Sequence, residues 1–295
     1  MERRIGRTSR SGLVTSGIWA TNRLVVVLAL LLAAAFVEVR AAPVGVQYTE
    51  GLVHGFLVLK TLDGRVIADG DLSQVATGSQ VKSRLTFRFR DGSMHDETAV
   101  YTQRGYFRLV SYRLVQRGAS FPRSLEMSID AASGMVTVRH TDDEGDTKTE
   151  SERMELPPDL SNGLMSTLLK NVRPGSPLTL SYMAATPKPR IVKLEISTAA
   201  PDRFSVGWRG RSATHYVINV EVGGISGLIA PLIGKEPPDA HVWILPGAAP
   251  AFVKAEQTLY AGGPVWRIEL TSPAWPRAKP PADAGAKSES RSPRR

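Results

Sequence analysis

Alternation of apolar and polar residues with a period of two, interrupted by turn chemistry, is what most constrains this chain. From Val81 to Arg90, Leu85, Phe87 and Phe89 fall on one face of an extended segment and Arg84, Arg88 and Arg90 on the other. Asp91-Gly92 follows, a pair suited to a hairpin turn. Leu125 to Ile129 alternates again, Ala131-Ala-Ser-Gly134 turns the chain, and Met135 to Thr141 returns it. Gly51 to Lys60, Leu178 to Tyr182, Val192 to Ser197, Phe204 to Trp208, His215 to Val222 and Gly263 to Leu270 carry the same signal. Each such segment has one apolar face to bury.

Tyr106 to Arg117 is apolar on both faces, which predicts a central strand buried on both sides. Pro157-Pro158-Asp159 predicts a helix start with Asp159 as N-cap, and Leu160, Leu164, Leu168 and Val172 then line one face as far as Arg173-Pro174-Gly175. About eleven or twelve strands with this helix and a shorter one predict a mainly β fold. Its form is a large curved antiparallel sheet, a half-barrel, with one or two short helices against its concave face.

A formal net charge of +9 suggests nucleic acid until it is divided along the chain. Residues 1–41 carry six arginines against two glutamates, 276–295 carry six Lys/Arg against two acids, and the remainder has a net charge of +1. A body so balanced has no net field for phosphate, so nucleic acid is not a predicted partner. The first 41 residues read as a secretory signal: Arg3, Arg4, Arg7, Arg10 and Arg23, an apolar run from Leu24 to Phe36, then Val39-Arg40-Ala41 as cleavage site. That run is shorter than the roughly 20 residues a membrane span needs, which favours a cleaved signal over the alternative of an uncleaved signal anchor. A periplasmic protein follows, with a β-rich domain over 42–275, no stable span after cleavage near Ala41, and a disordered basic tail over 276–295.

The absence of cysteine removes disulfides, thiolate nucleophiles and Cys-based zinc sites. His54, His95, His140, His215 and His241 show no metal-binding spacing and read as structural residues. Asp142-Asp-Glu-Gly-Asp146 lacks calcium-loop spacing and reads as a solvated hairpin tip. Gly224-Ile-Ser-Gly227 falls short of a G-x-S-x-G nucleophile elbow. No catalytic residue, metal or cofactor is predicted.

Ile225, Leu228, Ile229, Leu232 and Ile233 recur at helical spacing between Gly223-Gly224 and Gly234, with Pro231 weakening the second turn. This segment is either a core-packing helix or a movable lid over an apolar cavity. Trp208, Tyr216, Trp243 and Trp266, on strands of the same half, complete the predicted ligand-binding set.

Ala213-Thr-His-Tyr216, Gly224 to Lys235, Val242-Trp-Ile244 and Tyr260 to Leu270 resemble the C-terminal half of an uncharacterised family of exported bacterial proteins, and Pro157 to Leu164 is similar as well. That family resembles in fold the periplasmic lipoprotein carriers of the Lol system. The resemblance implies a concave apolar face that accepts acyl chains and helices that gate it. The leading expectation is therefore a non-catalytic lipid- or lipoprotein-binding protein of the cell envelope. The alternatives are a hydrolase of envelope lipids or glycans and a structural partner of an envelope complex. An empty apolar trough would mark the carrier, an acidic or hydroxyl group converging on His215 the enzyme, and a filled core with an exposed apolar patch the docking protein.

Overall fold

In the computed structural model, residues 42–206, 208–221 and 237–271 are described. The predicted signal, the predicted apolar helix with Ile225 to Ile233, and the predicted tail lie outside them. Among the described residues, the alternating segments form one antiparallel sheet of fourteen strands. The first wing is β1 (Val53–Thr61), β2 (Val66–Thr77), β3 (Gln80–Phe89), β4 (Met94–Arg104), β5 (Tyr106–Arg117), β6 (Leu125–Asp130), β7 (Met135–Thr141) and β8 (Thr147–Arg153). A helix, α1 (Met165–Lys170), leads to the second wing: β9 (Leu178–Ala184), β10 (Arg190–Val206), β11 (Arg209–Glu221), β12 (Ala240–Leu245), β13 (Ala251–Thr258) and β14 (Val265–Leu270).

The strand order is β8 to β1, then β14 to β9, so all strand pairs but one join sequence neighbours. The exception is β1 with β14, where Leu57 faces Leu270 and Leu59 faces Ile268. Lys60 reinforces this seam through an ion pair with Glu269 at 2.6 Å. Among the described residues the sheet is not closed, and β8 and β9 are its edges.

The inner face is packed. Leu59, Ala68, Val81, Phe87, Tyr101, Met127 and Leu180, from six different strands, are wholly buried. Helix α1 lies against this face: Thr167 meets the Tyr101 hydroxyl of β4 at 3.3 Å, and the helix also touches β12 and β13. A half-barrel with a short helix inside it is thus the observed form.

Three local expectations change. β5 is buried on one face only: Phe107, Leu109, Tyr112 and Leu114 point inward while Tyr106 is 52% exposed. Among the described residues no second layer covers its outer face. The two strands predicted over 192–197 and 204–208 form the single β10, bent by a bulge opposite β11 between Ala199 and Asp202. Pro201, which lacks an amide hydrogen, sits in that bulge.

The predicted helix Asp159–Val172 is the third. Only Met165–Lys170 is α-helical, and Leu164, not Asp159, occupies the N-cap. Asp159 instead accepts the Ser181 amide at 2.8 Å, Ser161 donates both its amide and its hydroxyl to the Ser181 carbonyl, and the Asn162 side chain both donates to and accepts from the Met183 backbone. These polar groups satisfy the edge of β9, which the helical reading would have left bare. The fourfold leucine spacing still marks burial, since Leu160, Leu164 and Leu168 all enter the core.

Gly163 permits the crossing from that edge to the other wing. Its φ is +70°, and a Cβ there would lie 2.6 Å from the Ala99 Cβ of β4 and 3.3 Å from Tyr112 of β5. Gly163→Ala should therefore cost on the order of 2–4 kcal/mol from left-handed backbone strain plus overpacking, read as a lower denaturant midpoint with an unchanged slope.

Candidate functional site

The four predicted ligand residues within the described set do not converge. Trp208 stands at the β10–β11 turn, 86% exposed. Tyr216 is buried on the inner face, its hydroxyl donating to the Val172 carbonyl at 3.3 Å. Trp266 is buried near Phe89 and Tyr260 at the end of the half-barrel where β1 ends. Trp243 is buried on the outer face, stacked on His215 at 4.3 Å. Glu221 and Ala240, the strand ends that flank the segment bearing Ile225, Leu228, Ile229, Leu232 and Ile233, lie at the same end of the sheet as Trp266.

The outer cluster around Trp243 tests the hydrolase reading. His215 Nε2 lies 3.0 Å from His241 Nδ1, and His215 Nδ1 lies 3.9 Å from the Asp202 carboxylate. That carboxylate is already engaged, accepting the Trp243 indole N–H at 2.6 Å. Lys254 covers the indole at 3.8 Å from its ring centre. Partial burial and the neighbouring His241 hold the His215 pKa below its ordinary value. An acid thus meets a histidine, but among the described residues no hydroxyl is hydrogen-bonded to either imidazole, so the cluster supplies a base without a nucleophile.

Two polar groups are sunk into the inner face. The Glu97 carboxylate accepts the Tyr112 hydroxyl at 2.7 Å, and burial pushes its pKa up. Glu50 receives Gln74 at 2.8 Å and an ion pair from Lys170, while the Tyr101 hydroxyl donates to Gln74 at 3.2 Å and closes the network against α1. These side chains partner one another and leave no free acid–base pair facing a cleft.

The apolar lining of the inner face runs out into solvent at the opposite end from Trp266. Along β1, Leu59 and Leu57 are buried, Gly55 follows, and Val53 is 38% exposed. On the neighbouring strand β14, Ile268 is buried and Leu270 is 49% exposed. Leu72 of β2 pairs with Gly55, and a Cβ on Gly55 would sit 3.6 Å from Leu270 and 3.9 Å from Leu72. The missing side chain leaves an apolar notch between two leucines. Sequence reasoning placed a strand over Gly51 to Lys60 but had no signal for which end of it stays uncovered.

No protein-family model and no curated protein matches the chain. Two solved structures align with it. One is a β-barrel-like protein of a domain of unknown function, DUF1849, from Brucella abortus, with 8% identity, a TM-score of 0.43, and 76% of this chain and 98% of that one covered. The other is the hypothetical lipoprotein YmcC from Escherichia coli, with 12% identity, a TM-score of 0.35, and 89% and 99% covered. Neither is described as a Lol-type carrier. Among the described residues, no helix is long and apolar enough to cross a membrane.

Two buried titrating groups give opposite pH dependences. Burial lowers the His95 pKa to about 4, so the unfolded chain takes up this proton first, near its ordinary 6.5. The stability tied to neutral His95 is complete above that value and falls as pH drops from 6.5 towards 4, by roughly 3 kcal/mol in all. His95→Leu should flatten that part of the stability curve. The raised Glu97 pKa acts the other way, stabilising at low pH and penalising folding once the carboxyl ionises. Glu97→Gln keeps an acceptor for Tyr112 and should raise the melting temperature at pH 7 while leaving it nearly unchanged at pH 4.

Proposed function

We propose that this protein works in the bacterial periplasm by binding and not by catalysis, holding an apolar group, the acyl chain of a lipid or lipoprotein, at the open end of its half-barrel. The observation that carries this reading is the inner-face apolar row that leaves the core through Gly55 and Val53, with Leu72 and Leu270 beside it. Leu52, which precedes it, is 83% exposed. Contiguous apolar surface of this kind is a liability unless something covers it. Each CH₂ buried there contributes about 0.8 kcal/mol, so about ten would supply 8 kcal/mol before ordering costs.

The expectation of an acyl chain along the whole concave face is narrowed by the packed core: α1 and the wholly buried side chains occupy that space. A ligand has the open end available and little more. Export rests on the signal read in residues 1–41. A filled core with an exposed apolar row is also the arrangement expected of a docking protein, so a docking partner in an envelope complex is the second reading, and one experiment separates the two.

Native mass spectrometry of the protein purified without detergent from a periplasmic fraction, followed by solvent extraction, should reveal a lipid or acylated adduct. Gly55→Val fills the notch on a strand that favours β-branched residues, and Leu270→Asp places a charge beside it. Both variants should lose the adduct while keeping the wild-type melting temperature to within a few degrees. A bare mass in the wild type, with no uptake of a fluorescent fatty acid, overturns the carrier reading in favour of the docking partner. An adduct retained by both variants overturns the assignment to this end.

A further inference from the structure

We infer that the β10–β11 hairpin is an arm that docks the protein on an anionic lipid surface. β12 pairs with β11 only from Thr214 to Ile218, whereas β10 and β11 pair with each other as far as Val206 and Arg209. Asp202–Val206 and Arg209–Ala213 therefore form a two-stranded ribbon that projects beyond its neighbour. Its tip carries Trp208, 86% exposed, with the Arg209 guanidinium 4.8 Å from the ring centre. Arg203, Arg209 and Arg211 are all exposed. The arm's one acid, Asp202, is turned back onto Trp243 at the base of the arm. Three positive charges thus gather on twelve residues of a domain whose net charge is otherwise close to balanced.

An exposed indole beside guanidinium groups matches the headgroup layer of a bilayer. There the amphipathic ring lies at the interface while arginines meet lipid phosphates, in fork geometry that suits them. A folded protein that served nucleic acid would spread such charge along a groove, and no such field exists over the rest of this domain. The anchor on Asp202 orients the arm: Trp243 fixes the base and leaves the arginines outward. The arm springs from the end of the sheet where Val53 and Leu270 lie, since β10 ends and β11, β1 and β13 begin there, although the inference stands without any ligand at that end.

The absence of cysteine provides a clean test. Ser205→Cys in the full chain, labelled with an environment-sensitive nitrobenzoxadiazole, places a probe on the exposed arm, and Thr149→Cys places one on the exposed edge strand β8. With vesicles of phosphatidylcholine containing a third phosphatidylglycerol, the Ser205 label should brighten and shift to the blue, and the Thr149 label should not. Each arginine near an anionic surface strengthens binding by roughly fivefold. Changing Arg203, Arg209 and Arg211 to serine should weaken the Ser205 response on the order of a hundredfold, and Trp208→Ser should remove its blue shift. Equal responses at both labels, equal responses to pure phosphatidylcholine, or no effect of the serine variants would overturn the inference. A response to duplex DNA without one to vesicles would also overturn it and assign the arm to nucleic acid.

Discussion

The ladder between β1 and β14 is the contact on which this fold rests. Every other strand pair joins neighbours in sequence, none separated by more than the 18 residues between Glu221 and Ala240, whereas this one brings together residues about two hundred positions apart. Closing so long a loop costs on the order of 5 kcal/mol in chain entropy. Burial of Leu57, Leu59, Trp266 and Ile268 along the seam contributes about 6–12 kcal/mol against it. Without the seam the protein is two meanders, each with an apolar face in water. With it, one curved sheet closes its inner face over α1.

A sheet that stays open has two edges to protect, and the protein protects them differently. At β9 the groups of Asp159, Ser161 and Asn162 bond the backbone that a fifteenth strand would have bonded. Gly163 then lets the chain pass against β4 and β5, so the sealed edge also ties the two wings together. At β8 every residue from Thr147 to Arg153 is exposed, and Lys148, Glu150, Glu152 and Arg153 place charge along it. Lys148, Glu150 and Glu152 fall on one side of the strand and Arg153 on the other, and charge along an edge discourages a second sheet from pairing there.

Among the described residues, the exposed apolar row and the arginine-rich arm lie at one end of the sheet. The core is filled by its own side chains, burial holds His95 neutral, Glu50 and Glu97 are bonded within the inner face, and the outer His215 cluster has a base with no hydroxyl nucleophile bonded to it among the described residues. The exposed apolar row at Val53 and Leu270 and the arginine-rich arm share that end. The proposed acyl site and the proposed membrane arm therefore lie at the same end of one sheet.

Much of this was legible in the sequence because it is local. Alternation marked most strands, Asp91-Gly92 and Ala131 to Gly134 marked turns, and Asp142 to Asp146 marked a solvated hairpin tip, since each depends on residues a few positions apart. The fourfold spacing of Leu160, Leu164 and Leu168 identified buried positions but not their backbone, because a side chain can reach a core equally well from an irregular segment. The two-sided apolarity of Tyr106 to Arg117 could not say whether a second layer existed to cover it. Local pattern determined the elements and their inner faces. Only the tertiary structure decided which strand meets which across two hundred residues, which end of the sheet stays open, and that Trp208, Tyr216, Trp243 and Trp266 face four different surroundings, because those depend on how the sheet curves and on what lies opposite.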